Sequence, residues 1–133
     1  MAGNRKGRCL CGRVQFTFDH AAVTYTGHCH CESCRRATSS PLTTFIGVRD
    51  SGWRWKGDAP TYFKSSKGVR RGFCGTCGSP MCYANDARPG ETDFYAATLV
   101  SDNGLVVSDH DHVDERPHWS PVPETALKPH KPD

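Results

Sequence analysis

The sequence predicts a mainly β fold, built as one small domain with a thin apolar core. Short runs rich in β-branched and aromatic residues recur along the chain, with Gly, Pro, Asp and Asn between them. A length of 133 residues suits one domain. Hydrophobic residues make up 36% of the chain, beside 13 glycines and 9 prolines, which is low for a self-sufficient core. We therefore expect a further cross-link, and the 8 cysteines are the candidates.

The strands follow from local patterns. In "RVQFTFD" the apolar residues Val14, Phe16 and Phe18 alternate with polar ones, as in a strand that buries one face. Further strands are predicted at the runs TTFIGV, TYFKSS, MCYAN, DFYAATLV and LVV. One short helical turn is predicted after Ser33, because "SCRRAT" contains tolerable helix formers and neither Gly nor Pro. The expected fold is thus several short antiparallel sheets with little helix.

The composition changes towards the C-terminus. Five of the nine prolines lie in "RPHWSPVPETALKPHKPD", which begins at Arg116. Such a segment is typical of an extended tail that lies on the surface or is disordered. We therefore predict a folded domain over residues 1–119 and a Pro-rich tail over residues 120–133.

The cysteines are expected to bind metal rather than to form disulfides. The N-terminal "MAGNRKGRCLCG" has positive charge but no apolar run, so we predict neither a signal peptide nor a membrane span, and expect a cytoplasmic protein. Thiols in a reducing compartment are more often metal ligands, and zinc is the usual metal. In three pairs the cysteines are also too close in sequence to form a disulfide with each other without strain: Cys9/Cys11, Cys29/Cys31 and Cys74/Cys77.

The positions of the basic residues say more about function than the net charge does. A formal net charge of +3 does not demand a nucleic-acid partner. Six basic residues are close in sequence to cysteines: Arg35, Arg36, Lys64, Lys67, Arg70 and Arg71. Charge alone leaves two interpretations open, an anion site near a metal and a solvated basic face.

Two cysteine pairs predict a tetrahedral zinc site. Cys9 and Cys11 form a C-x-C pair, and Cys74 and Cys77 form a C-x-x-C pair with glycine after each cysteine. In such a knuckle the chain turns so that both thiolates reach one ion, and glycine permits the turn. By analogy with zinc peptides, closing this site would contribute about 10 kcal/mol of folding free energy.

The stretch "GHCHCESCRR" contains a further three cysteines, Cys29, Cys31 and Cys34, which is one short of a structural zinc site. If Cys82 completes the set, the site is closed and structural. If it does not, a zinc on three thiolates keeps an open position that can bind a thiol, lower its pKa and hold it near an electrophile. Cys82 lies in the apolar run "MCYA", where cysteine is often a buried small hydrophobe. Spacing favours the open site without excluding the closed one.

The order of these motifs resembles the glutathione-dependent formaldehyde-activating enzyme family, which also includes the centromere protein V group. Similar blocks run from "CLCGRVQF" through "CHCESCRRATSSP" and "WRWKGDAPTYFKSS" to "VRRGFCGTCGSPM", and more weakly to "HVDERPHW", over about residues 8–119. The resemblance implies a β-rich, zinc-containing fold shared with a zinc-bearing Rab-binding chaperone.

The resemblance also implies two zinc ions per chain and assigns seven cysteines to them. The structural zinc would be held by Cys9, Cys11, Cys74 and Cys77. The second, catalytic zinc would be held by Cys29, Cys31 and Cys34. Cys82 has no counterpart in the family pattern, which favours an open position at the second zinc.

The implied activity is that of a carbon–sulfur lyase. The family reaction joins glutathione to formaldehyde, giving S-hydroxymethylglutathione. We therefore expect a zinc-dependent lyase that acts on a small thiol, expected to be glutathione, and an aldehyde. The carboxylates of glutathione would be oriented by basic residues such as Arg35, Arg36, Arg70 and Arg71. Two departures point to a different substrate pocket, Ser39 where several relatives have glycine and the late acidic stretch "SDHDHVDE".

The alternative is a non-catalytic zinc-binding module for protein or nucleic-acid interaction. Both zinc sites would then be structural, with Cys82 closing the second. Trp53, Trp55 and Tyr62 would offer an aromatic binding face, although aromatic residues more often serve a core.

Overall fold

The computed structural model describes residues 4–101, 104–120 and 122–123, and its architecture is mainly β, as predicted. The described strands are β1 (Asn4–Arg8), β2 (Val14–Asp19), β3 (Val23–Cys29), β4 (Thr43–Arg49), β5 (Trp53–Gly57), β6 (Thr61–Ser66), β7 (Val69–Phe73), β8 (Pro80–Asn85), β9 (Glu91–Tyr95) and β10 (His110–Asp111). Helix α1 (Glu32–Thr38) connects β3 to β4.

The strands form two sheets. The smaller is antiparallel, with three strands in the order β1-β2-β5. The larger has seven strands in the order β10-β3-β4-β9-β8-β7-β6. Its neighbours pair antiparallel except for β10, which pairs parallel with β3. The central strands β4 and β9 therefore bring the two halves of the chain together.

The core lies where side chains of the two sheets meet. Val14, Phe16 and Phe18 are buried on β2, which confirms the alternation seen in the sequence. Phe16 stacks on Phe94 of the larger sheet, with the ring centroids 4.1 Å apart. Trp55 packs edge-on against the Phe94 ring at 5.6 Å. Aromatic pairs of this kind contribute about 0.5–1.5 kcal/mol each beyond the area that they bury.

Trp53 also serves this core. Its ring lies edge-on to Phe94 at 5.1 Å and to Trp55 at 5.2 Å. The two tryptophans are therefore partly buried against the core rather than displayed as a binding face. Tyr62, on the edge strand β6, is 45% exposed.

Most of the predicted elements are present. The predicted strands at residues 13–19, 43–48, 61–66 and 81–85 correspond to β2, β4, β6 and β8, and the predicted helical turn corresponds to α1. The run "DFYAATLV" is a strand only as far as Tyr95, after which a 3-10 turn covers Ala96–Thr98. The short run "LVV" was predicted as a strand and is not one, because a short apolar run by itself does not distinguish a strand from a packed loop. Leu105 instead packs against the core.

The predicted boundary at residue 119 falls just before a buried residue. Ser120 is 5% exposed, and its N–H donates to the carbonyl of Pro117 at 3.0 Å. Residues 121 and 124–133 of the predicted Pro-rich tail lie outside the described residues. Among the described helices, none has the length and apolar character needed to cross a bilayer.

Candidate metal centres

Four cysteines from two distant turns converge on one point. Cys9 and Cys11 lie between β1 and β2, and Cys74 and Cys77 lie between β7 and β8. Their sulfur atoms all lie within 4.8 Å of one another, and we call this group the four-cysteine cluster. The Cys9–Cys11 and Cys11–Cys74 sulfur distances are 3.6 and 3.8 Å. A tetrahedral zinc at about 2.3 Å from each sulfur requires separations of about 3.8 Å, so the donor set fits this ion.

Backbone amides donate hydrogen bonds to two of these sulfurs. The N–H of Val14 donates to the Cys9 sulfur at 3.3 Å, and the N–H of Cys77 donates to the Cys74 sulfur at 3.4 Å. Gly78 ends the second turn at φ +81°, a conformation suited to glycine, and its N–H donates to the carbonyl of Cys74 at 2.8 Å. These bonds hold the turn in the shape that a metal ion needs.

The hydroxyl of Ser79 acts on the same cluster. It lies 3.2 Å from the sulfur of Cys77. Bonds from this hydroxyl and from the backbone of Ser79 lower the pKa of Cys77 to about 5. A charged thiolate is thus favoured at neutral pH, as metal binding requires.

A second group forms around the start of α1. Cys29 ends β3, Cys31 is the N-cap of α1, and Cys34 lies in its first turn. Their sulfurs lie within 4.8 Å of one another, and we call this group the three-cysteine cluster. The sulfur of Cys31 accepts the N–H of Cys34 at 3.3 Å, so the helix cap itself fixes the spacing of two of the sulfurs.

The three-cysteine cluster opens into a cleft of about 670 Å³. Cys29 and Cys31 are partly exposed there, whereas Cys34 is 4% exposed. The cleft is lined by Tyr25, Gly27, His28, Cys29, Cys31, Ser33, Cys34, Phe45, Ser66, Val69, Arg71, Tyr83, Asn85, Arg88, Asp93, Asp111 and His112. No member of the four-cysteine cluster lines it. The two clusters therefore differ in ligand number, and this cleft belongs to the three-cysteine cluster alone.

Arg71, on β7, reaches into the three-cysteine cluster. Its Nη1 donates to the sulfur of Cys34 at 3.7 Å. Hydrogen bonds from Cys29, then Cys31 and Arg71, lower the pKa of Cys34 to about 5, although burial acts in the opposite direction. The cluster therefore carries negative charge at neutral pH.

The cleft is also lined by an ion pair that the sequence did not reveal, between the partly exposed Arg88 and the buried Asp93. Asp93 is 2% exposed and accepts two hydrogen bonds from Arg88, one of them at 3.3 Å. Arg88 also donates to Glu91 at 3.0 Å and lies 5.7 Å above the ring of Tyr25. Burial raises the pKa of Asp93, and the bond from Arg88 opposes this effect. Arg88 is not part of a recognisable sequence motif. It lies between β8 and β9, and the pairing of these strands brings it to the cleft.

Cys82 does not join the three-cysteine cluster. Its sulfur belongs to neither group of sulfurs that could hold a metal. The side chain is 1% exposed on β8 and packs in the core with Met81 and Phe94. Burial raises the pKa of Cys82 to about 11, so the thiol is neutral. The hypothesis that Cys82 closes the second site finds no contact to support it.

The basic residues expected near the metal are separated by the fold. Arg36 pairs with Glu32 at 2.9 Å on the exposed face of α1, and Arg70 pairs with Asp86 at 3.1 Å. Neither lines the cleft, nor does Arg35. Lys64 and Lys67 are exposed. Of the six, Arg71 is the one that lines the cleft.

Three histidines connect β3 and the loop before α1 to β10. The Nε2 atom of His30 lies 2.9 Å from the Nδ1 atom of His110, and their rings are stacked at 5.2 Å. The ring of His28 lies 4.7 Å from that of His110, and its Nδ1 bonds to Thr44 at 2.8 Å. Burial lowers the pKa of His30, which is fully buried. These contacts hold the cysteine-bearing loop against the sheet.

The fold and the two clusters define a class, a small β protein with one four-thiolate and one three-thiolate centre, each able to hold a metal ion. A family model described as glutathione-dependent formaldehyde-activating enzyme matches residues 4–115, and the chain belongs to that family.

Comparison with solved structures supports the same architecture. The chain is similar to a Rhodobacter sphaeroides protein of known crystal structure, at 25% identity and a TM-score of 0.59. The match covers 77% of this chain and 97% of the other. No curated protein matches the sequence.

Proposed function

We propose that the protein is a zinc-dependent carbon–sulfur lyase that forms or cleaves an S-hydroxymethylglutathione-like adduct of a small thiol and an aldehyde. The observation that carries this proposal is the contrast between the clusters. Four sulfurs complete one ligand set, whereas three sulfurs border a cleft of about 670 Å³ and leave room for a fourth ligand. Membership of the family supports glutathione and formaldehyde as the substrate classes.

The donor chemistry favours zinc in both clusters. Closely spaced thiolates select zinc over hard cations such as magnesium or calcium. Zinc bound by Cys29, Cys31 and Cys34 would lower the pKa of an added thiol, so that it is present as the nucleophilic thiolate. The cleft accepts this thiol because Cys29 and Cys31 are partly exposed to it.

Residues of the cleft would bind and orient the substrate. The side chain of Arg88 lines the cleft and is 41% exposed, so its guanidinium could donate hydrogen bonds to a substrate carboxylate while Asp93 holds it in place. Phe45 and Tyr83 also line the cleft, and their rings would reduce the access of water to a bound substrate. Addition of the thiolate to the aldehyde places negative charge on the carbonyl oxygen. A cation close to that oxygen would lower the energy of the charged adduct.

Replacement of one cluster ligand tests this proposal. Cys29→Ser should lower the zinc content from two ions to one per chain, because two thiolates remain at that site. It should also abolish the acceleration of adduct formation above the uncatalysed rate, measured by exchange NMR at equilibrium. Cys82→Ser is the matched control, since its sulfur belongs to neither cluster.

X-ray absorption spectroscopy provides a second readout. Adding glutathione to the zinc-loaded protein should raise the mean number of sulfur ligands per zinc, because one site gains a thiolate. If Cys29→Ser keeps two zinc ions and the full rate, or if glutathione leaves the sulfur count unchanged, the lyase proposal is wrong. The binding-module alternative predicts no gain of sulfur.

We also assign the protein to the cytoplasm. All eight cysteines are free of disulfides, and both clusters need reduced thiols to bind metal. A reducing compartment satisfies this requirement.

A further inference from the structure

Arg71 is a buried cation that pairs with no carboxylate among the residues that the structure describes. It is 8% exposed in the middle of β7. Within the described parts of the chain, the ion pairs involve Arg36, Arg70, Arg88 and His112, and none involves Arg71. Removing a guanidinium from water is unfavourable unless neighbouring groups replace its hydration and balance its charge. The groups around Arg71 must therefore both accept its hydrogen bonds in place of water and balance its positive charge.

Four side chains accept hydrogen bonds from this guanidinium. Nε donates to the hydroxyl of Ser65 at 3.1 Å, and Nη2 donates to the hydroxyl of Ser33 at 3.0 Å. Nη1 is shared between the hydroxyl of Tyr95 at 3.4 Å and the sulfur of Cys34 at 3.7 Å. The side chain thus joins β6 and β9 to the first turn of α1, which carries one of the cluster ligands.

Of these acceptors, Cys34 is the one that supplies negative charge. The serine and tyrosine hydroxyls are neutral hydrogen-bond partners, whereas a cysteine that binds a metal ion does so as the thiolate. The ring of Tyr83, 5.0 Å from the guanidinium carbon, adds a cation–π attraction but no net charge. The three-cysteine cluster is therefore the counter-ion of Arg71.

We propose that Arg71 is a positioning residue of the three-cysteine cluster, which orients the sulfur of Cys34 and balances the negative charge of the thiolates. This inference rests on the proposed function, because it takes that cluster to be a zinc site. Three thiolates around a divalent ion carry one excess negative charge, which one guanidinium offsets. An incoming substrate thiolate then meets a neutral centre rather than an anionic one.

The test compares Arg71→Met with Arg70→Met. Arg70 is the neighbouring residue, carries the same charge and forms an exposed pair with Asp86, so its replacement leaves the cluster untouched. Zinc affinities of both clusters are measured by chelator competition on variants whose folding is checked by circular dichroism. We expect Arg71→Met to weaken zinc binding at the three-cysteine cluster by about 10–100-fold, as for other groups that support a metal ligand. The four-cysteine cluster should be unaffected, and Arg70→Met should change neither affinity.

Several outcomes would overturn the inference. A folded Arg71→Met protein with wild-type affinity at both clusters would exclude the role, and so would equal weakening of both clusters, which marks general support of the fold. If Arg71→Met does not fold, Arg71→Lys decides the question, because lysine keeps the charge but cannot make the same fork of hydrogen bonds. An intermediate loss confined to the three-cysteine cluster supports the inference, and unchanged affinity contradicts it.

The failure of the underlying function has a different signature. If the wild-type protein binds one zinc ion, the proposed second site itself is wrong. If the wild type binds two ions and Arg71→Met also binds two with equal affinity, only the role of Arg71 is wrong.

Discussion

Cys82 packs against the backbone of β7, and this contact places its sulfur in the core instead of the cleft. A Cβ atom at Gly72, the residue opposite on β7, would lie 2.6 Å from the Cys82 sulfur and 3.1 Å from the ring of Tyr62. The absence of a side chain at residue 72 therefore makes room for the thiol. A cysteine that fills space in this way behaves as a small apolar residue.

Gly72→Ala should consequently destabilise the protein by about 1–3 kcal/mol, because the added methyl overpacks the site. Cys82→Ala in the same background should recover part of that loss, since it removes the nearest clashing atom. Urea denaturation of the two single variants and the double variant measures the coupling. Strictly additive losses would contradict the contact. Zinc content is the companion measurement, and Cys82→Ala should retain two ions per chain.

At the scale of elements, α1 ends at a residue with an unfavourable conformation. Ser39 has φ +57°, in the left-handed region, and its N–H donates to the carbonyl of Arg35 at 2.7 Å. Glycine adopts this conformation without strain from a Cβ atom and is the usual residue at such a helix end. The backbone at residue 39 thus has a conformation that favours glycine, whereas this chain has serine there.

Ser39→Gly should therefore stabilise the protein by about 0.5–1 kcal/mol, because the relief of strain at residue 39 exceeds the added freedom of the unfolded chain. Thermal denaturation monitored by circular dichroism measures the change. Ser40→Gly is the control and should destabilise, because residue 40 lacks a positive φ and its hydroxyl donates to the carbonyl of Leu42 at 2.6 Å. A similar response of both variants would show that the conformation of residue 39 is not the cause.

The elements that could be predicted from the sequence are those with a local pattern. β2 was predicted because its apolar residues alternate, and α1 because its residues tolerate a helix. β1, β3, β5, β7 and β10 are not predicted, because each mixes charged, polar or glycine residues with few apolar ones and becomes a strand only by pairing with another strand. The composition of one strand does not encode which strand it pairs with.

The same distinction applies to the site. The cysteines were found because metal ligands occur at short, fixed spacings. Arg88 and Asp93 were not found, because β4, β8 and β9 must pair before these residues meet the cleft. Arg71 was one of several candidate basic residues, and burial distinguishes it from Arg70.

At the scale of the whole molecule, the two clusters differ in how much of the chain they connect. Cys11 and Cys74 are 63 residues apart in sequence, and their cluster joins a turn of the smaller sheet to a turn of the larger one. The three-cysteine cluster spans residues 29–34 and connects β3 to the start of α1. Closing a long loop restricts the unfolded chain more than closing a short one. The four-cysteine cluster should therefore dominate the stability of the domain.

The matched variants Cys11→Ser and Cys31→Ser test this difference. Each removes one thiolate, and Cys11 is exposed, so its replacement disturbs little packing. Loss of the zinc held at the four-cysteine cluster should remove folding free energy on the order of 10 kcal/mol, comparable to the total stability of a domain, so Cys11→Ser should be largely unfolded. Cys31→Ser should stay folded and keep one zinc ion, because the core and the longer closure remain. Circular dichroism and zinc analysis measure both effects. If Cys31→Ser unfolds as completely as Cys11→Ser, the second cluster is also required for the fold, and the division into one structural and one functional centre fails.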